Sequence, residues 1–170
     1  PGHGHAIDHN PNDKENFESL IREMRAALGD EKLLTIAASS KDFYLTESCN
    51  LPAVIDELDF VNVMSYTMTT YPTCYHNSAL HPSEKFPAAN VPLESCDEVM
   101  EYYTSAGIAP EKLNVGTAFF SKIPPAATKS ALDLSTLQEV LGITGITMNY
   151  QQLLEKVLNN PDFASVREWD

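Results

Sequence analysis

Apolar positions along the chain fall into alternating short runs and helical stripes. Phe17, Leu20, Ile21, Met24 and Leu28 recur at helical period, with Asn12 and Glu15 at capping-box spacing ahead of them and Gly29 as the stop. Leu33 to Ala38 reads as a short buried strand released at Ser39-Ser40. Leu51, Val54, Ile55 and Leu58 mark a short helix begun by Pro52. The run Leu58 to Tyr66 then carries Phe60, Val61, Val63 and Met64 with little polar relief, the pattern of a strand buried on both faces. It ends in the polar and aromatic cluster Ser65 to Thr70.

A polar loop follows from Met68 to Pro92, with four prolines and the ligand-capable side chains Tyr71, Tyr75, His76 and His81. Loops of this length are often lids or binding segments. Leu93 to Ala106 predicts a helix ended by Gly107, and Leu113 to Phe120 a third strand. Helix, strand, helix, strand, loop, helix, strand is the order of βα units around a parallel sheet. Beyond Ser121 the signal weakens. Pro124-Pro125 breaks the chain, Leu134 to Leu141 reads as helix, Ile143 to Thr147 as an extended piece, and Tyr150 to Leu158 as a last helix. The single tryptophan, Trp169, lies in the tail and is read as a packing residue.

Composition narrows the function. A hydrophobic fraction of 43% over 170 residues is that of a globular chain with a sizeable core. No apolar run approaches the roughly 20 residues that span a bilayer, and a net charge of -13 argues against nucleic acid and anionic membranes as partners. The chain opens on Pro1 without a signal-peptide pattern, and reads as an internal piece or processed product. Of the three cysteines, Cys74 and Cys96 flank the loop and are placed to pair, leaving Cys49 reduced or joined elsewhere. There is no Asn-x-Ser/Thr sequon.

His3, His5, Asp8 and His9 raise a metal reading, since imidazole and carboxylate ligate zinc. Their H-x-H-x-x-D-H spacing is similar to the H-x-H-x-D-H of metallo-β-lactamase-type hydrolases with one residue inserted, which displaces Asp8 and His9. A solvated loop is the expectation, with no metal and no cofactor.

Four blocks carry a more specific resemblance. Asp59 to Tyr66 (DFVNVMSY) resembles the sixth-strand signature of glycoside hydrolase family 18, the chitinases and their relatives. Lys112 to Phe120 (KLNVGTAFF) is similar to the family's seventh strand, Leu33 to Ala37 to its fifth, and Asp13 to Phe17 (DKENF) to the segment after its fourth. Pro1-Gly2 fits the segment just past the catalytic acid. The resemblance implies an α/β fold, part of a TIM-type (β/α)8 barrel. Residues 1–122 would supply strands five to seven, and residues 123–170 an insertion or tail of the same barrel. Three strands of eight leave open edges, so the chain alone is expected to be poorly folded or prone to aggregate.

The resemblance also implies chemistry: retaining, substrate-assisted cleavage of β-1,4-linked N-acetylglucosamine polymers, in which a glutamic acid protonates the leaving oxygen and the sugar's acetamido oxygen attacks the anomeric carbon. On this carry-over Tyr66 donates a hydrogen bond to the acetamido oxygen, Met64 lines the pocket floor, and Thr67 and Phe120 contact substrate. Thr67 stands where the family has aspartate, and threonine supplies no negative charge beside a cationic intermediate. The family's D-x-x-D-x-D-x-E motif has no copy here, since Asp56-Glu57-Leu58-Asp59 begins like one but continues into Val61 and Val63. No catalytic residue is therefore expected within these residues, and the chain alone is expected to be inactive. The implied partner is an N-acetylglucosamine polymer or oligosaccharide, and the implied location extracellular. The alternatives are a catalytically silent chitin or oligosaccharide lectin on the same barrel, a metal hydrolase built on the N-terminal histidines, or a fragment with no function of its own.

Overall fold

Three parallel strands form the centre of the first of two compact units in a computed structural model of the chain, which describes residues 10–68, 76–82, 93, 95–122, 147–159 and 161. The first unit comprises residues 1–65 and 96–116, the second residues 66–95 and 117–170.

In the first unit, β1 (Thr35–Ser39), β2 (Phe60–Met64) and β3 (Leu113–Val115) lie in that order, all parallel. Helix α1 (Asp13–Leu28) precedes β1, and α2 (Cys96–Ser105) lies between β2 and β3 in the chain. The βα alternation expected from sequence is present. Val61 and Val63 of β2 are fully buried, as are Val99 and Tyr103 of α2. The Tyr103 hydroxyl donates to the Ser39 carbonyl at 2.6 Å, fixing α2 against the end of β1.

The expectation that β2 is buried on both faces is corrected. Its side chains alternate, with Val61 and Val63 inside and Asn62 exposed. Register aligns Ala37, Asn62 and Asn114 across the sheet, and all three are exposed. Asn114 Nδ2 donates to Asn62 Oδ1 at 3.1 Å on this face. In a closed barrel it is the inner face, covered by the strands opposite. The described strands form an open sheet and close no barrel.

The N-terminal ends of the strands are tied by ions. Asp59, just ahead of β2, accepts from the Leu34 backbone N–H (2.7 Å) and from Arg25 Nη2 (2.8 Å). These contacts, the backbone bond foremost, hold its carboxyl below the usual carboxylate range. Arg25 Nε also donates to the Glu57 carbonyl at 2.8 Å, linking α1 to the segment before β2. From the 3-10 turn Pro110–Lys112, Lys112 Nζ reaches the carbonyls of Ile55 (2.8 Å) and Leu58 (2.6 Å). Asp59 and Lys112 open two of the sequence blocks that resemble family 18, and here each holds strand ends together. Lys112→Met keeps the aliphatic stem but leaves two carbonyls without their charged donor. It is expected to cost about 2 kcal/mol of stability, read as a lowered urea midpoint.

Three local expectations change. Asn12 precedes α1 but makes no side-chain cap bond, so the Asn12–Glu15 capping box does not form. The stretch around Pro52 is two 3-10 turns, Leu51–Ala53 and Ile55–Glu57, rather than one helix. The α1 stripe is mostly uncovered: Ile21 is buried, whereas Leu20, Met24 and Leu28 are exposed. Gly29 does end α1, at φ +68°, with its N–H on the Arg25 carbonyl.

In the second unit β4 (Phe120–Lys122) pairs antiparallel with β5 (Thr147–Asn149). The single third strand expected over Leu113 to Phe120 is therefore two strands in two sheets. Gly116 N–H closes the parallel ladder on the Val63 carbonyl at 2.8 Å, and pairing resumes at Phe120 with a different partner. Of the extended piece expected at Ile143 to Thr147, Thr147 is the first residue of β5, and residues 143–146 lie outside the described residues. The last helix is present as α3 (Tyr150–Leu153), continued by a π-helical turn over Leu154–Leu158. The helix expected at Leu134 to Leu141, and Trp169, lie outside the described residues. Among the described residues no helix is long and apolar enough to cross a membrane.

Candidate functional site

The second unit begins at Tyr66, two residues past the end of β2. The Tyr66 ring is half-buried and meets the Phe120 ring edge-on, with centroids 5.6 Å apart and planes at 85°. Edge-to-face pairs of this kind are favoured by the ring quadrupoles and fix ring orientation.

Thr67 follows with φ +62°, the only left-handed non-glycine residue among those described. A β-branched side chain is disfavoured there, so the surroundings must hold the conformation. Asn77 does so. Its Oδ1 accepts the Thr67 backbone N–H at 3.1 Å, and its carbonyl accepts the Met68 N–H at 3.1 Å. Its Nδ2 donates to the Phe120 carbonyl at 3.0 Å. Met68 itself is buried.

Three of the four residues expected at a sugar site, Tyr66, Thr67 and Phe120, are thus brought together in one unit. Met64 is the last residue of β2 in the first unit, half-buried and in register with Ser39. Asn77 was missed by sequence reading. Its only signal was an amide carrying both donor and acceptor within a polar loop, a group able to bridge two backbone segments. Of the loop side chains singled out, His76 and His81 flank Asn77, with His81 exposed, while Tyr71 and Tyr75 lie outside the described residues.

Among the described residues no cluster of three or more His, Cys, Asp or Glu is placed to hold a metal ion. His3, His5, Asp8 and His9 lie outside them, as does Cys74. Cys96 is buried, its thiol donating to the Ser65 carbonyl at 3.6 Å. Cys49 is a free, fully enclosed thiol whose pKa is pushed up by burial.

The arrangement presents a phenol whose backbone and ring are both anchored, at the end of the DFVNVMSY run. The sequence profile of glycosyl hydrolases family 18 matches residues 3–165. The chain belongs to glycosyl hydrolases family 18. Solved structures similar to this family-18 chain include the chitinase domain of the spore coat protein CotE from Clostridium difficile, at 25% identity and a TM-score of 0.68, covering 88% of this chain and 38% of that one. Chitinase ChiA74 from Bacillus thuringiensis matches at 31% identity and TM-score 0.63, over 69% of this chain and 20% of its own. The Group IV chitinase of Ostrinia furnacalis matches at 30% identity and TM-score 0.62, over 70% and 33%, and has also been solved in complex with allosamidin. The family-18 chain thus spans between 20% and 38% of the length of these three chains. The family has the TIM-barrel fold, of which the described residues show mixed α/β structure.

Proposed function

We propose that the chain is part of a chitinase-type glycoside hydrolase that cleaves β-1,4-linked N-acetylglucosamine by the substrate-assisted, retaining route. In this reading residues 1–122 correspond to barrel strands five to seven, and residues 123–170 to an insertion or tail of the same barrel. Tyr66 donates its phenolic hydrogen to the acetamido oxygen, holding it for attack on the anomeric carbon. Met64 lines the floor, and Thr67 and Phe120 flank the sugar. The general-acid glutamate comes from the barrel segment before this one. The ligand is a chito-oligosaccharide or chitin, which suggests an extracellular setting.

The observation that carries the reading is Tyr66 itself, held through its ring by Phe120 and through its backbone by the Asn77 clasp at the end of the DFVNVMSY strand. A phenol fixed in this way loses little freedom when it donates to a ligand. In the parent polypeptide, Tyr66→Phe is expected to weaken binding of tetra-N-acetylchitotetraose by about 3- to 10-fold, measured by isothermal titration. Unchanged affinity would remove Tyr66 from the site.

Thr67 favours a second reading, an oligosaccharide lectin on the same barrel. Threonine in place of the aspartate can bond a sugar hydroxyl but gives no charge to a developing oxazolinium. The parent polypeptide distinguishes the two: an acidic motif ending in glutamate supports hydrolysis, and a substituted glutamate supports the lectin.

A further inference from the structure

We infer that Asn77 is the positioning residue of the sugar site, and that it acts through Tyr66 rather than by touching substrate. This rests on the assignment of Tyr66 to the acetamido group. The contacts form a closed circuit. The Asn77 side chain accepts from the Thr67 N–H and so fixes the Tyr66–Thr67 peptide plane. The same amide donates to the Phe120 carbonyl and so fixes the residue whose ring meets Tyr66 edge-on. One planar group therefore sets both ends of the tyrosine, its backbone and its ring.

The backbone at Thr67 shows why a clasp is needed. At φ +62° a threonine relaxes readily toward negative φ, and that rotation swings the preceding peptide and the Tyr66 side chain with it. Asn77 opposes the rotation twice, through its side chain on the Thr67 N–H and through its carbonyl on the Met68 N–H. Only the side-chain bonds depend on residue type. Asparagine suits the place because a single planar amide both accepts from one segment and donates to another. Alanine offers neither function, and aspartate keeps the acceptor while losing the donor.

The experiment uses the parent polypeptide, with the rest of the barrel present, and two readouts. Binding of tetra-N-acetylchitotetraose is measured for Asn77→Ala and Asn77→Asp, each alone and combined with Tyr66→Phe. The nuclear Overhauser contact between the Tyr66 and Phe120 rings is recorded in the absence of sugar. Asn77→Ala is expected to weaken binding about tenfold when Tyr66 is intact and less than about twofold in the Tyr66→Phe background, because a positioning residue has little left to position. The ring contact is expected to be lost in Asn77→Ala and weakened in Asn77→Asp. Equal losses in both backgrounds, or a ring contact unchanged in the Asn77 variants, would overturn the inference. If the unaltered parent polypeptide binds no acetylated oligomer, the sugar-site assignment fails, and the ring contact alone still decides whether Asn77 positions Tyr66. If Asn77→Ala does not fold, Asn77→Asp supplies both readouts.

Discussion

Replacing Tyr103 with alanine is expected to lower the free energy of unfolding by about 3–5 kcal/mol. Tyr103 is 0% exposed, and its ring lies edge-on to Tyr102 with centroids 5.8 Å apart. Alanine removes that ring from the centre of the first unit, where Val61, Val63 and Val99 are also fully buried, and leaves a cavity. It also deprives the Ser39 carbonyl of its hydroxyl donor. Tyr103→Phe separates the two effects, because it keeps the packing and loses only the hydrogen bond, at about 1 kcal/mol. A stable domain holds only roughly 5–15 kcal/mol in reserve and an open three-stranded sheet is expected to hold less, so the alanine variant removes a large share of it. Urea unfolding followed by circular dichroism measures both variants, and a midpoint for Tyr103→Ala equal to that of the unaltered chain would refute the assigned role.

Much of the first unit was legible in the sequence because its elements announce themselves locally. Helix α1 follows from a 3.6-residue apolar period and a terminal glycine, and β1 and β2 from short runs rich in apolar side chains. Which faces are buried was not legible, because that depends on how many strands close the sheet. Asn62 sits in an otherwise apolar run and marks the open face, yet no local rule separates it from a buried asparagine with a partner.

The two capping sequences make the same point at smaller scale. Asn12-x-x-Glu15 and Asn149-x-x-Gln152 have the same spacing, but only the second closes, with Gln152 N–H on Asn149 Oδ1 at 2.8 Å and Asn149 N–H on Gln152 Oε1 at 3.0 Å. Asn149 has the extended backbone a cap requires, at φ -71° and ψ 167°. Asn12 stands at φ -90° and ψ 4°, in a turn where its N–H is held by Asn10 Oδ1. Residues outside the four-residue pattern decided the outcome.

At the candidate site, Tyr66, Thr67 and Phe120 were found because each lies in or beside a block of recognisable sequence. Asn77 is ten residues beyond Thr67 and 43 before Phe120, in a loop with no periodicity. Its role appears only when the fold brings those segments together. The converse holds for Asp59 and Lys112, which belong to the same sequence blocks as the site residues yet bind strand ends through backbone groups. A block of family sequence therefore mixes the residues proposed to meet ligand with residues that hold strand ends together.

Alkaline pH is expected to unfold the chain steeply. The hydroxyls of Tyr44 and Tyr103 have pKa values raised above the ordinary tyrosine value, in both cases chiefly by burial and then by neighbouring acidic groups. The Cys49 thiol beside Tyr44 is raised as well, again by burial first. In the unfolded chain these groups ionise near their ordinary values, while the folded chain keeps them protonated to higher pH. Above those values the unfolded state binds fewer protons, so stability is fully present below them and is lost as pH rises. Each such group contributes a slope of about 1.4 kcal/mol per pH unit once its unfolded form is ionised. The thiol therefore begins the decline above about pH 8.5, and the two tyrosines steepen it above about pH 10. Lysine deprotonation and the growing negative charge act in the same range, so the test compares variants rather than absolute midpoints. Urea midpoints between pH 7 and 11 are expected to fall less steeply for Tyr44→Phe than for the unaltered chain, and less steeply again when Tyr103→Phe is added. Parallel curves for all three proteins would show that these buried hydroxyls do not govern the alkaline transition.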